Sequence, residues 1–182
     1  EKDFPVLDEE AGLKMLEEVK KAASQGDSIG GTVECVALGV KAGLGSPNMY
    51  GVESRLASLL FAIPAVKALE FGSGFEICRM RGSEANDALA YDGKVYMLTN
   101  HNGGILGGIT GGMPITFTVG IKPTPSIALP QQTIDKRFES QKITVKGRHD
   151  PCIVPRAVPV VEAAAAIVIL DLYLEGIGYE NA

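Results

Sequence analysis

The feature that most constrains this chain is a charged, proline-bounded segment that runs directly into a long apolar stretch. Residues 146–159 read Lys-Gly-Arg-His-Asp-Pro-Cys-Ile-Val-Pro-Arg-Ala-Val-Pro, and each proline restricts the backbone. The stretch at residues 155–176 is apolar on nearly all sides, which predicts a helix packed within protein rather than lying on a surface. Charged groups are therefore held at the mouth of a core helix, where a guanidinium suits phosphate or carboxylate and a carboxyl group can move a proton.

Length and composition indicate a folded protein with a substantial core. The chain has 182 residues, of which 46% are hydrophobic, and this favours one domain or two small ones. Cys35, Cys78 and Cys152 are far apart in sequence and there are only two histidines, so a structural zinc site has almost no ligands. We interpret the cysteines as reduced thiols of a cytoplasmic protein. The strongest candidate for a membrane span, residues 163–170, is far shorter than the roughly 20 residues that a bilayer requires, which predicts a soluble protein with no membrane partner.

The charge is unevenly distributed along the chain. The net charge of -5 argues against nonspecific binding of nucleic acid. Residues 122–148 contain six basic and two acidic residues, so this segment carries +4 and the remainder -9. A local positive field in an acidic protein suits a small anionic ligand, and a solvated basic loop is the alternative interpretation.

Hydrophobic periodicity predicts a mixture of helices and strands. An amphipathic helix is predicted to begin at Asp8, a second helix to run from Val52 to near Pro64, and a weak helix to cover residues 75–81. Strands are predicted at residues 32–36, 66–71 and 113–121, and a hairpin at residues 90–98. The alternation places Lys122 on the polar face of the third strand, and residues 123–130 are predicted to form a stiff, proline-rich loop. The pattern is typical of an α/β or α+β fold, with no clear linker.

Residues 103–112 contain six glycines and follow an Asn-His-Asn sequence. Glycine allows a flat ring or a phosphate to approach the main chain, whose N–H groups can point at the ligand. The segment is neither a phosphate-binding Walker loop nor a dinucleotide-binding fingerprint, which counts against a dinucleotide-dependent oxidoreductase. Tight turns are the alternative use of these glycines.

Two further clusters carry groups suited to anions and protons. Residues 122–126, Lys-Pro-Thr-Pro-Ser, place an ammonium and two hydroxyls on a nearly rigid backbone, which makes either a phosphate clamp or merely a proline-stiffened edge. Arg148 could form a bidentate pair with a phosphate or carboxylate, and Asp150 could accept a proton; an ion pair between the two is the structural alternative. Cys152 is better interpreted as a small buried residue than as a nucleophile.

Six segments in this order and spacing resemble the C-terminal half of the chorismate synthase family. They cover nearly the whole chain and lie at residues 26–31, 43–47, 63–67, 100–108, 122–126 and 147–152. The resemblance implies an α+β protein with a β-α-β sandwich, of which residues 1–182 form the C-terminal portion as a single domain. It also implies a homotetramer that uses reduced FMN to convert 5-enolpyruvylshikimate 3-phosphate to chorismate by a 1,4 elimination of phosphate.

The resemblance assigns roles to individual positions. Arg148 matches an arginine at the junction of the flavin and the substrate phosphate, and Asp150 matches an acid proposed to help remove the proton through the flavin N5. Pro64 stands where many relatives carry Asn. The positions that match flavin-contacting residues are Pro64, Ala65, Gly107, Lys122, Pro123, Thr124, Pro125 and Ser126.

Part of the family pattern has no counterpart in these residues. The family's first half contains a Gly-Glu-Ser-His-Gly-type segment, a second essential histidine and an Arg-Ala-Ser-type flavin loop. We therefore expect the chain to be a C-terminal portion of the enzyme that does not turn over substrate alone, and neither His101 nor His149 replaces the absent histidines. The alternative hypothesis is a noncatalytic flavin-binding or assembly module. Whether a flavin reductase activity accompanies the enzyme stays open.

Overall fold

The computed structural model describes residues 5–147 and 149–180, which form two compact units. The first unit comprises the described residues of Glu1–Gly31 and Ile121–Val158, and the second those of Thr32–Gly120 and Pro159–Ala182. The expectation of a single domain stays a prediction. The elements in chain order are α1 (Glu9–Ser24), β1 (Gly31–Ala37), α2 (Val52–Ala62), β2 (Val66–Phe71), α3 (Gly82–Ala85), β3 (Leu89–Tyr91), β4 (Val95–Met97), β5 (Ile105–Leu106), β6 (Ile109–Thr110), β7 (Ile115–Ile121), β8 (Gln131–Ile134), β9 (Ser140–Ile143) and α4 (Val154–Glu180).

Most of the elements that the periodicity predicts are present. Helix α1 begins after Asp8, whose carboxylate accepts hydrogen bonds from the backbone N–H groups of Glu10 and Ala11, as expected of an N-cap. Strands β1, β2 and β7, helix α2 and the β3–β4 hairpin lie within a few residues of their predicted bounds. The weak helix predicted at residues 75–81 is a 3₁₀ helix at Gly74–Arg79. The sequence indicated no element where β8 and β9 form an antiparallel hairpin.

The core of the second unit is built around a three-stranded sheet with the order β1-β7-β2. Strand β7 alternates between the two faces of the sheet, and the side chains of its odd-numbered residues are buried. The backbone N–H of Gly72 donates to the carbonyl oxygen of Thr116, and Gly120 lies opposite Ala68, so β2 runs antiparallel to β7. Helix α2 lies next to β2. Its buried positions are Val52, Leu56 and Leu60.

Helix α4 is buried along one stripe only, so the prediction of a helix packed on nearly all sides is wrong for this chain. The buried stripe consists of Val161, Ala164, Ala165, Val168 and Leu172. The exposed side carries Val160, Ile167, Leu170, Tyr173, Leu174 and Ile177. The physical reason is that the described residues provide packing partners for one side of the helix only. An ion pair between Arg55 of α2 and Asp171 of α4, at 3.0 Å, joins these two helices.

Helix α4 also concerns the expectation that the protein has no membrane partner. The segment Val154–Ile177 is long and apolar enough to cross a membrane, judged by length and composition alone. The eight-residue run that the sequence indicated is only part of this helix, because isolated charged residues such as Glu162 do not end it. The core helix of a soluble protein meets the same criterion, and α4 has such a buried stripe. The expectation of no membrane partner therefore stays a prediction.

Candidate functional site

In the first unit, the segment Gly26–Gly31 connects two of the predicted site segments. The hydroxyl of Ser28 donates to the carbonyl oxygen of Thr124 at 2.6 Å, across 96 residues of sequence. The backbone N–H of Ile29 donates to the carbonyl oxygen of Pro151 at 2.8 Å. Residues 122–126 and the Asp150 run are thus both attached to one frame. We call Gly26–Gly31 the connecting segment.

Close backbone approach explains a glycine in the connecting segment. A Cβ atom placed on Gly30 would meet the carbonyl oxygen of Ile121 and would lie 3.0 Å from the ring of Pro123. These neighbours are main chain and a rigid ring, so they cannot move aside as the end of a flexible side chain does. The absence of a side chain at Gly30 therefore allows the Lys122–Ser126 loop to lie against the connecting segment.

The Lys122–Ser126 loop presents one exposed cation and one buried hydroxyl. Strand β7 ends at Ile121, so Lys122 is the first residue of the loop, and its side chain is exposed. The side-chain oxygen of Thr124 is buried and has no hydrogen-bond partner among the residues that the structure describes. Buried hydroxyls are nearly always hydrogen-bonded in folded proteins. An unpartnered hydroxyl beside a lysine fits a loop that receives an anion, and it is the feature that best fits an FMN phosphate here.

Asp150 forms an ion pair that the sequence did not single out. Its carboxylate lies 3.2 Å from the Nε of Arg156, in the first turn of α4, and its side chain is 28% exposed. One carboxylate oxygen also accepts a hydrogen bond from the backbone N–H of Cys152 at 3.4 Å. The predicted ligand Arg148 lies outside the described residues. His149 contacts the carbonyl oxygen of Val145 through Nε2 at 2.9 Å, which agrees with a role in shaping the loop.

In the second unit, the predicted flavin-contacting residues Pro64 and Ala65 form the turn between α2 and β2. Pro64 is exposed, and Ala65 has a φ of 72°, a left-handed conformation that is uncommon for a residue with a Cβ atom. This conformation reverses the chain between the helix and the strand. The backbone N–H of Val66 donates to the carbonyl oxygen of Ile63 at 3.3 Å and closes the turn.

Gly107 lies at the tip of the β5–β6 hairpin. Gly107 and Gly108 have φ values of 60° and 85°, as a two-residue type I′ turn requires. Nothing lies within 4 Å of the position where a Cβ would stand on Gly107, so this position is open to a ligand. The carbonyl oxygen of Gly108 accepts a hydrogen bond at 3.0 Å from the backbone N–H of Val52, the first residue of α2.

The structure does not bring Gly107 together with Pro64 and Ala65. Gly108 contacts the start of α2, whereas Pro64 follows the end of the same helix. Helix α2 has 11 residues, and at 1.5 Å per residue it is roughly 16 Å long. These predicted flavin contacts therefore lie near opposite ends of one helix, a separation comparable to the length of a nucleotide-sized ligand.

A buried aspartate, Asp87, holds the turn that precedes the β5–β6 hairpin. Asp87 is 5% exposed. One of its carboxylate oxygens accepts hydrogen bonds at 2.7 Å from the hydroxyl of Thr99 and from the backbone N–H of His101. The other accepts hydrogen bonds at 2.9 Å from the backbone N–H and from the side-chain amide of Asn102. Burial by itself raises the pKa of the Asp87 carboxyl, but these hydrogen bonds outweigh it and lower the pKa to about 2.

The sequence did not single out Asp87, Ser28 or Arg156. A buried acid in a stretch without periodicity gives no signal of its own, and a contact across 96 residues cannot be read from spacing. The signal that could have pointed to Arg156 is an arginine next to a proline in the first turn of a predicted helix, six residues after an acid.

The Cys35 thiol does not form a reactive site, and the described residues do not form a metal site. Burial and the nearby charge of Glu162 raise the pKa of the Cys35 thiol, which keeps it protonated and unreactive. Within the described part of the chain, no group of three or more histidine, cysteine, aspartate or glutamate side chains could hold a metal ion.

Comparison with known proteins gives a consistent result. The sequence model of the family described as chorismate synthase matches residues 1–174. The chorismate synthase of Thermococcus gammatolerans is 54% identical over 96% of this chain and 49% of its own length. That of Pyrococcus abyssi is 54% identical over 90% of this chain and 47% of its own length.

A solved structure agrees with the sequence relatives. The crystal structure of a chorismate synthase superimposes with a TM-score of 0.76 at 32% identity, covering 93% of this chain and 44% of that one. This likeness confirms the predicted α+β fold. The chain spans about half the length of the curated relatives that it matches. The matches to the family model, to these relatives and to this structure show that the chain belongs to the chorismate synthase family.

Proposed function

We propose that this chain supplies one half of the active site of a chorismate synthase. The reaction is a carbon–oxygen lyase reaction, in which phosphate is eliminated 1,4 from 5-enolpyruvylshikimate 3-phosphate to give chorismate. The support is family membership across residues 1–174 and an identity of 54% to a chorismate synthase over 96% of the chain. The remaining half of the site belongs to the part of the family that these residues do not match.

The observation that carries the proposal is the attachment of two site segments to one frame. The connecting segment contacts the Lys122–Ser126 loop through Ser28, and it contacts Pro151, next to Asp150, through Ile29. An anion clamp and a carboxylate are thus held by the same short segment. The elimination requires such groups, because a phosphate must leave and a proton must be removed.

The loop residues bind an anion in different ways. Lys122 provides an ammonium that attracts a phosphate and forms charge-assisted hydrogen bonds with it. The buried hydroxyl of Thr124, which has no partner in the described part of the chain, donates to a phosphate oxygen. Pro123 and Pro125 restrict the loop, so little conformational entropy is lost when a ligand binds. We assign Ser126 to the same anion-binding loop. For the second unit, we propose from the family resemblance that the tip residue Gly107 contacts flavin.

Asp150 accepts a proton in this proposal, and Arg156 holds its carboxylate. The ion pair at 3.2 Å and the hydrogen bond from Cys152 fix the position of the carboxylate oxygens. Because the side chain is partly exposed, a proton taken up by Asp150 can pass to solvent. Arg148 is proposed to pair with the phosphate of the substrate, with a geometry that matches its planar guanidinium.

Reduced FMN, when bound, supplies electron density to the substrate ring as phosphate leaves, although the net reaction is redox neutral. The protein's own residues must bind two anions, orient them and exclude water. We infer from the family resemblance that the assembled enzyme is a cytoplasmic homotetramer, without a nucleic-acid or membrane partner.

A second candidate function is a noncatalytic assembly module. It is favoured by the exposed apolar side of α4, because an apolar face of this size on a soluble protein marks a surface that another element covers. In the enzymatic proposal, the same face is covered by the family's other half. Flavin binding alone does not separate the two candidates, since both allow it.

Complementation separates them. The 182-residue chain would be mixed with the separately expressed N-terminal half of the Thermococcus gammatolerans enzyme, and phosphate release from 5-enolpyruvylshikimate 3-phosphate would be followed anaerobically with dithionite-reduced FMN. The enzymatic proposal predicts turnover by the mixture and none by either piece. Association without turnover would favour the assembly module, and turnover by the 182-residue chain alone would refute its proposed dependence on a second half.

A further inference from the structure

The turn before the glycine hairpin is held by a single carboxylate that no assigned role uses. Asp87 precedes β3, and its two oxygens accept four hydrogen bonds from three residues of the turn, at 2.7 to 2.9 Å. Its backbone neighbour Ala88 also accepts a hydrogen bond from the N–H of Leu98 at 2.9 Å, at the base of the β3–β4 hairpin. Asp87 therefore connects the end of the β3–β4 hairpin to residues 99–102.

We propose that Asp87 is a positioning residue for the β5–β6 hairpin and thereby for Gly107. It acts through the turn at residues 99–104 and does not touch a ligand itself. The inference rests on the proposed function in one respect, namely that Gly107 contacts the flavin. The holding of the hairpin by Asp87 stands on the geometry alone.

The hydrogen bonds at position 87 require a carboxylate. Each oxygen of Asp87 accepts from two donors, and both donors on one oxygen belong to Asn102. An asparagine at position 87 would place an NH₂ group on one side of its side chain. That group would face a backbone N–H whichever way the amide were turned, that of His101 or that of Asn102, so at least one hydrogen bond would be lost and two donors would be brought together.

The turn at residues 99–104 has little freedom to move independently of β2. The backbone N–H of Ser73 donates to the carbonyl oxygen of His101 at 2.9 Å, and the side chains of the same two residues contact each other at 2.8 Å. A Cβ on Gly72 would meet the carbonyl oxygen of His101, so the end of β2 lies directly against the turn. A displaced turn would therefore lose contacts with β2 rather than slide past it.

The last residues of the turn connect it to the β5–β6 hairpin. Gly103 and Gly104 have φ values of 64° and 81°, and a Cβ on either would press on backbone atoms within 2.7 Å. The carbonyl oxygen of Gly104 accepts a hydrogen bond at 2.8 Å from the N–H of Gly111, one residue after β6. The β5–β6 hairpin is thus closed by Gly104, the last residue of the turn. A change at residues 99–102 changes the direction in which the Gly107 tip projects.

Hydrogen–deuterium exchange on the 182-residue chain tests the holding role without a ligand. In Asp87→Asn, we expect the peptide covering residues 99–112 to exchange about tenfold or more faster than in the wild type, while the peptide covering α2 is unchanged. Thr99→Val removes one of the four donors and keeps the shape of the side chain, so it should accelerate the same peptide by about two- to fivefold. Asp135→Asn is the matched control, because Asp135 also accepts two backbone hydrogen bonds but in the β8–β9 turn.

The outcomes are distinct. Unchanged exchange of residues 99–112 in both Asp87→Asn and Thr99→Val would overturn the inference. Equal acceleration of all peptides of the second unit would also overturn it, because Asp87 would then support the unit as a whole.

A flavin measurement on the complex with the N-terminal half separates this inference from the proposed function. Asp87→Asn should weaken FMN binding by about tenfold without changing the association of the two halves, whereas Asp135→Asn should change neither. Equal FMN affinity in wild type and Asp87→Asn would refute the effect on Gly107. Absence of FMN binding by the wild-type complex would instead refute the proposed function and leave the exchange result as the test of Asp87.

Discussion

Lowering the pH should remove a defined part of this protein's stability through one carboxyl group. Hydrogen bonds lower the pKa of the Asp87 carboxyl from its ordinary value of 3.8 to about 2 in the folded protein, despite its burial. A carboxyl whose pKa is lowered by folding stabilises the folded state above its ordinary pKa. That stabilisation is lost as the pH falls through the folded value. The window for Asp87 therefore lies between about pH 4 and pH 2.

The size of the effect follows from the two pKa values. Each pH unit between the ordinary and the folded value is worth about 1.36 kcal/mol, so the interval from 3.8 to about 2 corresponds to roughly 2 kcal/mol of unfolding free energy. Asp87 is 5% exposed, but its carboxyl lies close to the protein surface, so screening by solvent makes this figure an upper value. A contribution of this size is a considerable fraction of the 5–15 kcal/mol that is typical of a folded domain.

The assay compares the wild type with Asp87→Asn. Urea unfolding followed by far-ultraviolet circular dichroism would give the unfolding free energy of both proteins at a series of pH values from 6 to about 1.5. All other carboxyl groups are common to the two proteins, so the difference between them isolates Asp87. We expect the wild type to be more stable at pH 6 and its advantage to shrink by at most roughly 2 kcal/mol towards the acid end. A difference that stays constant with pH would refute the reasoning, because Asp87 would then not be held ionised by folding.

Three further predictions concern other parts of the molecule. Gly108→Ala should cost more than Gly107→Ala in unfolding free energy, because a Cβ on Gly108 would meet the backbone of a neighbouring segment whereas Gly107 has open space; equal costs in urea unfolding would contradict the assigned packing. Leu172→Ala should destabilise the chain by about 2–5 kcal/mol and Leu174→Ala by about 0.5 kcal/mol or less, because they are 2% and 58% exposed. Similar values in the same assay would show that the buried side of α4 is assigned wrongly. In the complemented enzyme, Asp150→Asn should lower kcat far more than it raises KM, and equal turnover would show that Asp150 is structural.

The sequence predicts most of the elements of the second unit, because they alternate or repeat with a clear period. Strand β7 is the clearest case, since four buried positions alternate with less buried ones. Helix α4 was predicted from a long run that is apolar on nearly all sides, and composition alone does not say which of its sides a neighbour covers. The β8–β9 hairpin was missed because its strands are mostly polar and exposed, so no apolar alternation marks them.

The candidate site was predicted unevenly for a similar reason. The Lys122–Ser126 loop and Asp150 could be found because unusual residue types occur together within a few positions. The hydrogen bond from Ser28 that attaches this loop to its frame joins residues 96 positions apart, and only the fold brings them together. The four donors that surround Asp87 come from a turn more than ten residues away, so its importance depends on a geometry that the sequence does not encode locally.

The affinity of the complemented enzyme for reduced FMN is the measurement that tests the central claim most directly. The claim is that the loop beginning at Lys122, held by Gly26–Gly31, binds the phosphate of the cofactor. Lys122→Ala should weaken binding by about tenfold, the loss of one charge-assisted contact. Lys142→Ala, which removes another exposed lysine, from β9 in the same basic segment, should leave the affinity unchanged. Equal weakening by both substitutions, or by neither, would contradict the claim.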